Sequence, residues 1–276
     1  MPVPAYSSLR ADQFRHPCDR EATQALQQLP GLDLLVRSLL GSVAEQAFYL
    51  ENIGSSLRLS EQQLPDIYGL HIEACRILGL EPPQLYLKQH PVPNAYTFAM
   101  RGKQPFVVLH SSLVELLTPK ELQAVLAHEL GHLKCEHGVY LTIANLLLFA
   151  TSQLSPWGLL LAQGLQTQLM HWLRCAELTC DRAALLVTQD PRVVASVLMK
   201  LCGGSPQWSD RLNLDAFIAQ ARDYEAADRG WYNLFKELQA SQLTHPLPVL
   251  RAREILDWAE TQQYDRLVKQ LHPARQ

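Results

Sequence analysis

The chain has 276 residues, of which 47% are hydrophobic and 18% are charged, and its formal net charge is −3. This length suffices for one large domain, or two small ones, with a sizeable buried core. Lysine and arginine neither dominate nor form a run, which argues against a nucleic-acid partner.

The cysteines and the N-terminal residues bear on the cellular compartment. No two of the six cysteines have C-x-x-C spacing, and their scatter through apolar helical sequence predicts reduced core thiols in a reducing compartment. Residues 1–20 contain no apolar segment of the kind found in secretory signals. We therefore expect a cytoplasmic protein.

The N-terminal part of the chain is predicted to be an accessory segment. Residues 1–59 should form a helical extension that packs on a catalytic domain of residues 60–276. Within the extension we expect helices from Pro17 to Glu51, broken at Pro30-Gly31, and then a short strand from Ile53 to Leu59.

The first half of the predicted catalytic domain combines a helix with a small sheet. Ser60 and Gln63 have the spacing of a capping box, which predicts a helix that runs to about Leu78. Turn residues at 102–104 predict a hairpin between the last two of three expected strands. These strands are Leu85–Leu87, Tyr96–Phe98 and Phe106–Leu109.

The second half of the domain is predicted to be helical. Thr118-Pro119-Lys120-Glu121 combines a capping threonine, a first-position proline and a capping-box glutamate, so a helix should run from there to about His137. Further helices are expected at about Glu177–Thr188 and from Pro191. The whole pattern predicts an α+β fold that is mostly helical with a small sheet.

The strongest functional signal is His128-Glu129-Leu130-Gly131-His132. Histidines at i and i+4 lie one turn apart on one helical face, where both imidazoles can bind one zinc ion. Glu129 lies beside them and can act as a general base without being a ligand. Gly131 costs about 1 kcal/mol relative to alanine inside a helix, which close packing of another element would explain. The alternative is an amphipathic helix with two solvated or core histidines.

A catalytic zinc ion needs a third protein ligand and keeps one open position. The candidate is Glu177, which precedes Asp181 by four residues on an otherwise largely apolar predicted helix. Burying two carboxylates is costly without a cation or hydrogen-bond donors. Zinc would satisfy Glu177, and the N–H of a ligand imidazole would satisfy Asp181. The alternative is a solvated acidic face that pairs with Arg174 or Arg182.

Other histidines and cysteines near these motifs are not expected to bind metal. His137 follows His132 by five residues, about 140° round a helix, which makes it a poor ligand. His171 has no supporting pattern. Thiolates suit closed structural zinc sites better than catalytic ones, so we assign three cysteines to packing. They are Cys135, Cys175 and Cys180.

Several segments around the histidine motif form a recognisable pattern. They are Pro93-Asn94-Ala95-Tyr96, Phe106-Val107-Val108-Leu109-His110-Ser111, Glu121-Leu122, Val125-Leu126-Ala127 and Glu177-x-x-x-Asp181. Over roughly residues 60–251 the chain thereby resembles the HtpX and CAAX-prenyl-protease type of metallopeptidase, family forty-eight of the metallopeptidases. The resemblance implies a zincin-like fold of the gluzincin class, in which a glutamate from a later helix is the third zinc ligand.

The resemblance also implies roles for residues outside the motif. It implies that Asp181 orients His128. It further implies that His245 and Arg251, which have the family's six-residue spacing, lie near the metal. Without the resemblance, His245 could be only a loop residue.

Taken together, the sequence predicts an endopeptidase with one zinc ion per chain, acting on proteins or peptides in quality control or turnover. Glu129 would take a proton from water and pass it to the leaving amine, while His245 and Arg251 stabilise the oxyanion. An extended substrate could add as a strand near Asn94 and Ala95. Two alternatives stay open: a metal-binding chaperone or adaptor with a peptidase fold, and a hydrolase of non-peptide substrates.

The stretch from Gly138 to Met170 has no charged residue and is long enough for one membrane span. One crossing would separate the histidine ligands from Glu177, and two crossings need about 40 residues plus a turn. We therefore predict two short apolar helices, at about Val139–Ala150 and Leu159–Met170, that form a hairpin beside the active site. The tip of the hairpin contains Trp157 and would lie in the core or shallowly in a membrane surface, as in peripheral attachment.

Overall fold

The computed structural model describes residues 8–28, 43–99, 105–138, 140, 156–226 and 247–271. The first helices are α1 (Ala11–Phe14), α2 (Pro17–Gln27), α3 (Val43–Ser55), α4 (Pro65–Leu78), α5 (Ser111–Leu116) and α6 (Pro119–Lys134). They are followed by α7 (Pro156–Thr188), α8 (Pro191–Gly203), α9 (Leu214–Ala226), α10 (Pro248–Ala259) and α11 (Gln262–Leu271). The strands are β1 (Leu57–Arg58), β2 (Gln84–Lys88), β3 (Ala95–Phe98) and β4 (Phe106–His110). The fold is α+β and mostly helical, as predicted.

The four strands form one sheet in the order β1-β2-β4-β3. β2 and β4 run parallel, with Leu85 opposite Val107, whereas β1 and β3 are antiparallel to their neighbours. The predicted antiparallel pairing of the last two strands is confirmed, and the predicted turn at 102–104 lies outside the described residues. Within the described chain, β3 is an edge strand of the sheet.

The segment before β2 differs from the prediction. Ile53 lies in α3, and only Leu57–Arg58 forms a strand. Ser60 and Gln63 bridge each other across a turn and do not cap a helix, because α4 begins at Pro65, a residue suited to the first helical position. Since β1 pairs with β2, residues on both sides of the predicted domain boundary at residue 60 share one sheet.

Helix α6 begins as predicted and is fixed at its first turn. The Thr118 Oγ1 accepts from the Glu121 N–H (3.4 Å), and the Glu121 carboxylate accepts from the Thr118 N–H (2.8 Å). Glu121 is buried and also binds Lys200 Nζ (2.7 Å) and Ser196 Oγ (2.6 Å) of α8. Burial would raise the pKa of Glu121, but these donors hold it below its usual value. The start of α6 is therefore tied to α8 through a buried ion pair.

The rest of α6 lies inside the protein. It packs against α4, α7, α8, β3 and β4. Leu126 and Leu130 are fully buried in the main core together with Val107 of β4 and Leu185 of α7. Full burial of a leucine side chain contributes about 1.5–3 kcal/mol. Packing on several sides fixes the direction in which α6 presents its polar side chains.

Helix α7 runs without a break from Pro156 to Thr188. The predicted separate helix Leu159–Met170 is therefore wrong, because Pro156 begins a helix that continues through Glu177. At 1.5 Å per residue, its 33 residues span about 50 Å. The predicted partner helix Val139–Ala150 lies outside the described residues, apart from position 140. Among the described residues, no helix is both long enough and apolar enough to cross a membrane.

The N-terminal helices α1 and α2 pack on α7. A disulfide joins Cys18 of α2 to Cys175 of α7, so the prediction of reduced packing thiols is wrong for this pair. The two residues are 157 positions apart and meet only because the helices pack. The other four cysteines are free: three are buried, as predicted, and Cys202 is exposed.

Candidate metal centre and active site

The three predicted zinc ligands meet where α6 crosses α7. Glu177 Oε2 lies 3.4 Å from His128 Nε2, and Glu177 Oε1 lies 3.3 Å from His132 Nε2. The rings of the two histidines are 5.3 Å apart at an angle of 78°. Glu177 and His132 are buried, and His128 is partly exposed. One face of the cluster is therefore accessible from outside.

These separations fit a tetrahedral zinc ion. Atoms that each lie about 2.0–2.1 Å from the centre of a tetrahedron are about 3.3–3.4 Å from one another. Both nitrogen–oxygen separations have about that length, although they end on different oxygens of Glu177, so they place the carboxylate within reach of an ion held by either histidine. Two histidines and a glutamate are also a donor set that catalytic zinc sites use, with a fourth position open. The residues present therefore fit the metal that the sequence predicts.

The charges of the site also favour a cation. Asp181 and Glu177 are both buried, and both contact the guanidinium of Arg251. Burial would lower the pKa of His128, but Glu177 and Asp181 outweigh it and raise that pKa to about 10. Burial would likewise raise the pKa of Glu177, but Arg251 and His128 hold it well below its usual range.

Asp181, which the sequence predicts to orient His128, lies behind the ring of that histidine. Its Oδ1 lies 3.1 Å from His128 Nδ1, on the ring edge opposite the nitrogen that faces Glu177. Arg251 of α10 binds Asp181 through two parallel bonds, from Nε to Oδ2 (2.7 Å) and from Nη2 to Oδ1 (2.6 Å). Its Nη1 lies 3.0 Å from Glu177 Oε2. Arg251 thus touches both carboxylates that face His128.

Gly131 is explained by the closeness of α7. A Cβ at this position would lie 3.0 Å from the Ala183 Cβ and 3.1 Å from the Cys180 Cα. Any larger side chain would push α7, and with it Glu177, away from the histidines. The packing reason that the sequence suggested for this glycine is present in the structure.

The predicted general base, Glu129, is nearly buried and is contacted by the sheet. Thr97 Oγ1 of β3 lies 2.9 Å from Glu129 Oε2 and 3.0 Å from the Glu129 carbonyl oxygen. Sequence reasoning did not identify Thr97, because its contact with α6 depends on how the sheet packs on the helix. Its position inside the predicted strand Tyr96–Phe98 was the only available signal.

The segment predicted to bind substrate lies at the sheet edge. Ala95 opens β3 opposite Leu109, and the Asn94 carbonyl accepts from the His110 N–H (3.0 Å). Since Thr97 of the same strand contacts Glu129, this edge runs past the predicted base. A substrate role for Asn94 and Ala95 stays a prediction.

His137 contacts the site from an unexpected direction. Helix α6 ends at Lys134, before the predicted end, and Glu136 has φ of 58° in the left-handed region. The turn brings His137 Nδ1 to 3.2 Å from His132 Nδ1. Helical angles do not apply after the helix has ended, so the spacing rule could not reveal this contact. His137 faces the ring edge of His132 that points away from Glu177, and so it is not placed as a ligand.

Cys180 also lies near the histidines, with its sulfur within 4.8 Å of a ring nitrogen of both. It is also 3.8 Å from His137 Nδ1. Burial raises the pKa of this thiol well above its usual value. Cys180 is fully buried, and the assignment of Glu177 as the third ligand and of Cys180 to packing stays a prediction. His171 is exposed and lies 3.8 Å from the Cys175 sulfur, and His245 is outside the described residues.

Comparison with known proteins identifies the family. The model of Peptidase family M48 matches residues 73–259. The chain is 56% identical over 272 residues to the plastoglobule-localized metallopeptidase 48, chloroplastic, of Arabidopsis thaliana, covering 98% of this chain and 78% of that protein. It is 29% identical over 190 residues to protease HtpX homolog 2 of Methanosarcina mazei, covering 58% of this chain and 64% of that one. The matched range contains the histidine motif, Glu177, Asp181 and Arg251, and the chain belongs to the metallopeptidases of Peptidase family M48.

Proposed function

We propose that this metallopeptidase is a zinc endopeptidase in which His128, His132 and Glu177 hold one ion and Glu129 is the general base. The observation that carries the proposal is the pair of separations, 3.4 and 3.3 Å, between the Glu177 oxygens and the histidine Nε2 atoms. They place a carboxylate oxygen at about the edge length of a zinc tetrahedron from each imidazole nitrogen, in a cluster with two buried carboxylates.

The side chains around the ion would have different roles in hydrolysis. When bound, zinc would supply Lewis-acid activation of water and of the scissile carbonyl. Glu129 lies in the same helical turn as His128 and would accept the proton of the attacking water, then deliver it to the leaving amine. Thr97 holds one oxygen of Glu129, which limits the rotation of that carboxylate.

Arg251 and His245 were both predicted to stabilise the oxyanion, and the contacts of Arg251 favour a different role. Its guanidinium nitrogens are directed at Asp181 and Glu177, so it would orient these carboxylates and through Asp181 the ring of His128. Oxyanion stabilisation by His245 remains part of the proposal on the strength of the sequence pattern alone.

The position of β3 supports an extended substrate. An edge strand has unpaired backbone groups along one side, and a peptide can add there as a further strand. The strand that would receive it begins at Ala95 and carries Thr97, the partner of the base. Recognition through backbone groups predicts loose side-chain specificity, which suits turnover or quality control of many proteins.

The cellular setting is proposed from one relative and from the apolar stretch. The Arabidopsis relative is plastoglobule-localized by name. We propose peripheral contact with a lipid surface through residues near Trp157, at the start of α7, whose side chains lie outside the described ones. Flotation with lipid vesicles tests this contact, and release by carbonate would mark it as peripheral. The predicted cytoplasmic location remains a prediction.

The function is tested by separating metal binding from chemistry. Glu129→Gln should retain one zinc ion per chain and lose roughly 10²–10⁴ in the rate of peptide hydrolysis, since a base is removed but no ligand. Glu177→Ala should lose both zinc and activity. Glu115→Gln, an exposed carboxylate on α5, is the matched control and should change neither.

The same assay distinguishes the alternatives. For each variant, the zinc content is measured by metal analysis, and peptide cleavage is measured by mass spectrometry with and without chelator. A chaperone would suppress aggregation of client proteins without creating new peptide termini. A hydrolase of non-peptide substrates would leave every peptide intact, and its activity on those other substrates would still require Glu129. Either result would exclude the endopeptidase.

A further inference from the structure

A chain of three buried polar side chains leads from the predicted zinc site to the N-terminal helix α2. His132 Nδ1 lies 3.2 Å from His137 Nδ1, and His137 Nε2 lies 3.1 Å from Asp19 Oδ2. All three are buried, and Asp19 is fully so. Residue 19 precedes the segment that the family model matches, residues 73–259. The carboxylate of Asp19, which lies outside that segment, is therefore separated from the predicted metal ligand His132 by only one side chain, that of His137.

Only one arrangement of protons satisfies this chain when His132 binds metal through Nε2. A neutral imidazole carries one proton, so the ligand His132 must carry its proton on Nδ1 and donate it to His137 Nδ1. His137 Nδ1 then accepts, which places the proton of His137 on Nε2 and directs it at Asp19. Each neighbour thus fixes the tautomer of the next, from the carboxylate inwards.

We infer that Asp19 is a positioning residue for the metal ligand His132 and that it acts through His137. The inference rests on the proposed zinc site. Ligand histidines usually donate their second N–H directly to a carboxylate, carbonyl or water, which orients the ring and increases its basicity. Here a second imidazole lies between the ligand and the carboxylate and extends the reach of that interaction.

The surroundings of Asp19 suit a fixed acceptor. Thr179 Oγ1 of α7 donates to Oδ2 (2.7 Å), Thr23 Oγ1 donates to Oδ1 (3.1 Å), and Arg15 Nε lies 3.7 Å from Oδ2. A carboxylate without solvent exposure is costly unless it is paired and hydrogen-bonded in this way. Holding helix α2 in place would not require the carboxylate to face a histidine that touches a metal ligand.

The ring of His137 is also held from its sides. The indole of Trp172 stands edge-on to it, with ring centres 5.4 Å apart, and the Cys180 sulfur lies 3.8 Å from its Nδ1. His137 therefore has little freedom to turn away when one partner is changed. Loss of Asp19 would leave the ring in place but remove the group that selects its tautomer.

The test measures zinc affinity by competition with a chromophoric chelator, using the full chain. Outer partners of ligand histidines typically contribute a factor of 10–100 to metal affinity. We expect Asp19→Asn to weaken zinc binding about tenfold and His137→Phe by about 10–100-fold. Because Asp19 acts through His137, the double variant should bind zinc no more weakly than His137→Phe alone.

A matched control separates positioning from helix packing. Thr23→Val removes a hydrogen bond to the other oxygen of Asp19 and one from the Trp172 indole, but leaves the His137 contact. It should lower the zinc-free melting temperature while keeping the parental zinc affinity. Visible spectra of the Co²⁺-loaded proteins give a second readout, which should change for Asp19→Asn and not for Thr23→Val.

Two results would overturn the inference. One is parental zinc affinity in folded Asp19→Asn protein, and the other is additive losses in the double variant, which would make Asp19 a packing residue of α2. Failure of the zinc site itself would look different. In that case Glu177→Ala would bind zinc as tightly as the parent protein.

Discussion

The two histidines of the predicted zinc site are supported by different chemistry. Behind His128 stands a charged pair, Asp181 and Arg251, and the arginine also contacts Glu177. Behind His132 stands the ring of His137, and the carboxylate, Asp19, lies one side chain further out. The first support comes from residues inside the family match, and the second depends on a helix that precedes it.

This difference predicts different effects on protein folding and on metal affinity. A buried cluster of charges is stable only as a unit, since removing one member leaves another uncompensated. A relay of hydrogen bonds contributes less energy, because its links are single hydrogen bonds. We therefore expect the His128 side to determine whether the site folds, and the His132 side to adjust how tightly the metal binds.

The largest effect is expected from removing the arginine of the charged side. Arg251→Ala removes the guanidinium that contacts both buried carboxylates, Asp181 and Glu177, which should lower the free energy of unfolding of the zinc-free protein by about 3–5 kcal/mol. Added zinc should recover part of this loss, because the ion compensates the carboxylates and binds only the folded state. Urea unfolding with chelator and with zinc measures both quantities.

The control for this variant lies on the same helix. Arg253 is partly exposed and pairs with Asp257 at the surface (3.3 Å), so Arg253→Ala should change stability by no more than about 0.5 kcal/mol. If Arg251→Ala and Arg253→Ala lowered the free energy of unfolding equally, the charged side would contribute no more to stability than a surface ion pair.

The two carboxylates of the charged side follow from the sequence pattern, but the contact of Arg251 with Asp181 does not, because Arg251 was predicted to stabilise the oxyanion. The spacing of His128 and His132, and of Glu177 and Asp181, follows from the period of a helix, and apolar neighbours imply that the carboxylates need partners. The start of α6 was equally readable in the Thr118 capping box. In each case the information lies within one helix.

The relayed side could not be predicted because its contacts join distant parts of the chain. Asp19 and His137 are separated by 118 residues and meet through the packing of α2 on α7. His137 reaches His132 only because the chain turns after Lys134. The turn uses a left-handed backbone conformation at Glu136, and since this residue is not a glycine, the sequence does not signal it. The Cys18–Cys175 disulfide was missed for the same reason.

That disulfide gives a second, intermediate test, since it joins α2 to α7 next to Asp19. Cys18→Ser should lower the free energy of unfolding by about 2–4 kcal/mol, the usual contribution of a bond that closes a long loop. Reductant should lower the melting temperature of the parent protein and leave that of Cys18→Ser unchanged. Cys202→Ser, at an exposed free cysteine, is the control. A parent protein insensitive to reductant would show that helix packing alone holds α2.

The smallest effect is expected where both sides meet, at Gly131. Alanine gains about 1 kcal/mol of helix propensity, but its Cβ would press on the Ala183 Cβ and the Cys180 Cα of α7. Crowding of this kind typically costs about 1–3 kcal/mol, so we expect a net loss of about 1 kcal/mol in the zinc-free protein. A displaced α7 would also carry Glu177 away from both histidines.

At Gly69, substitution by alanine should change the free energy of unfolding in the opposite direction. It is exposed in the middle of α4, and a Cβ there would meet no atom within 4 Å, so Gly69→Ala should stabilise the protein by about 0.5–1 kcal/mol. For Gly131→Ala the loss should be larger in zinc-loaded than in zinc-free protein, because a shift of α7 weakens binding as well as packing. Urea unfolding of both variants with and without zinc measures this. If Gly131→Ala is stabilising in both states, α7 is free to move, and the spacing of the ligands is not set by the contact between the two helices.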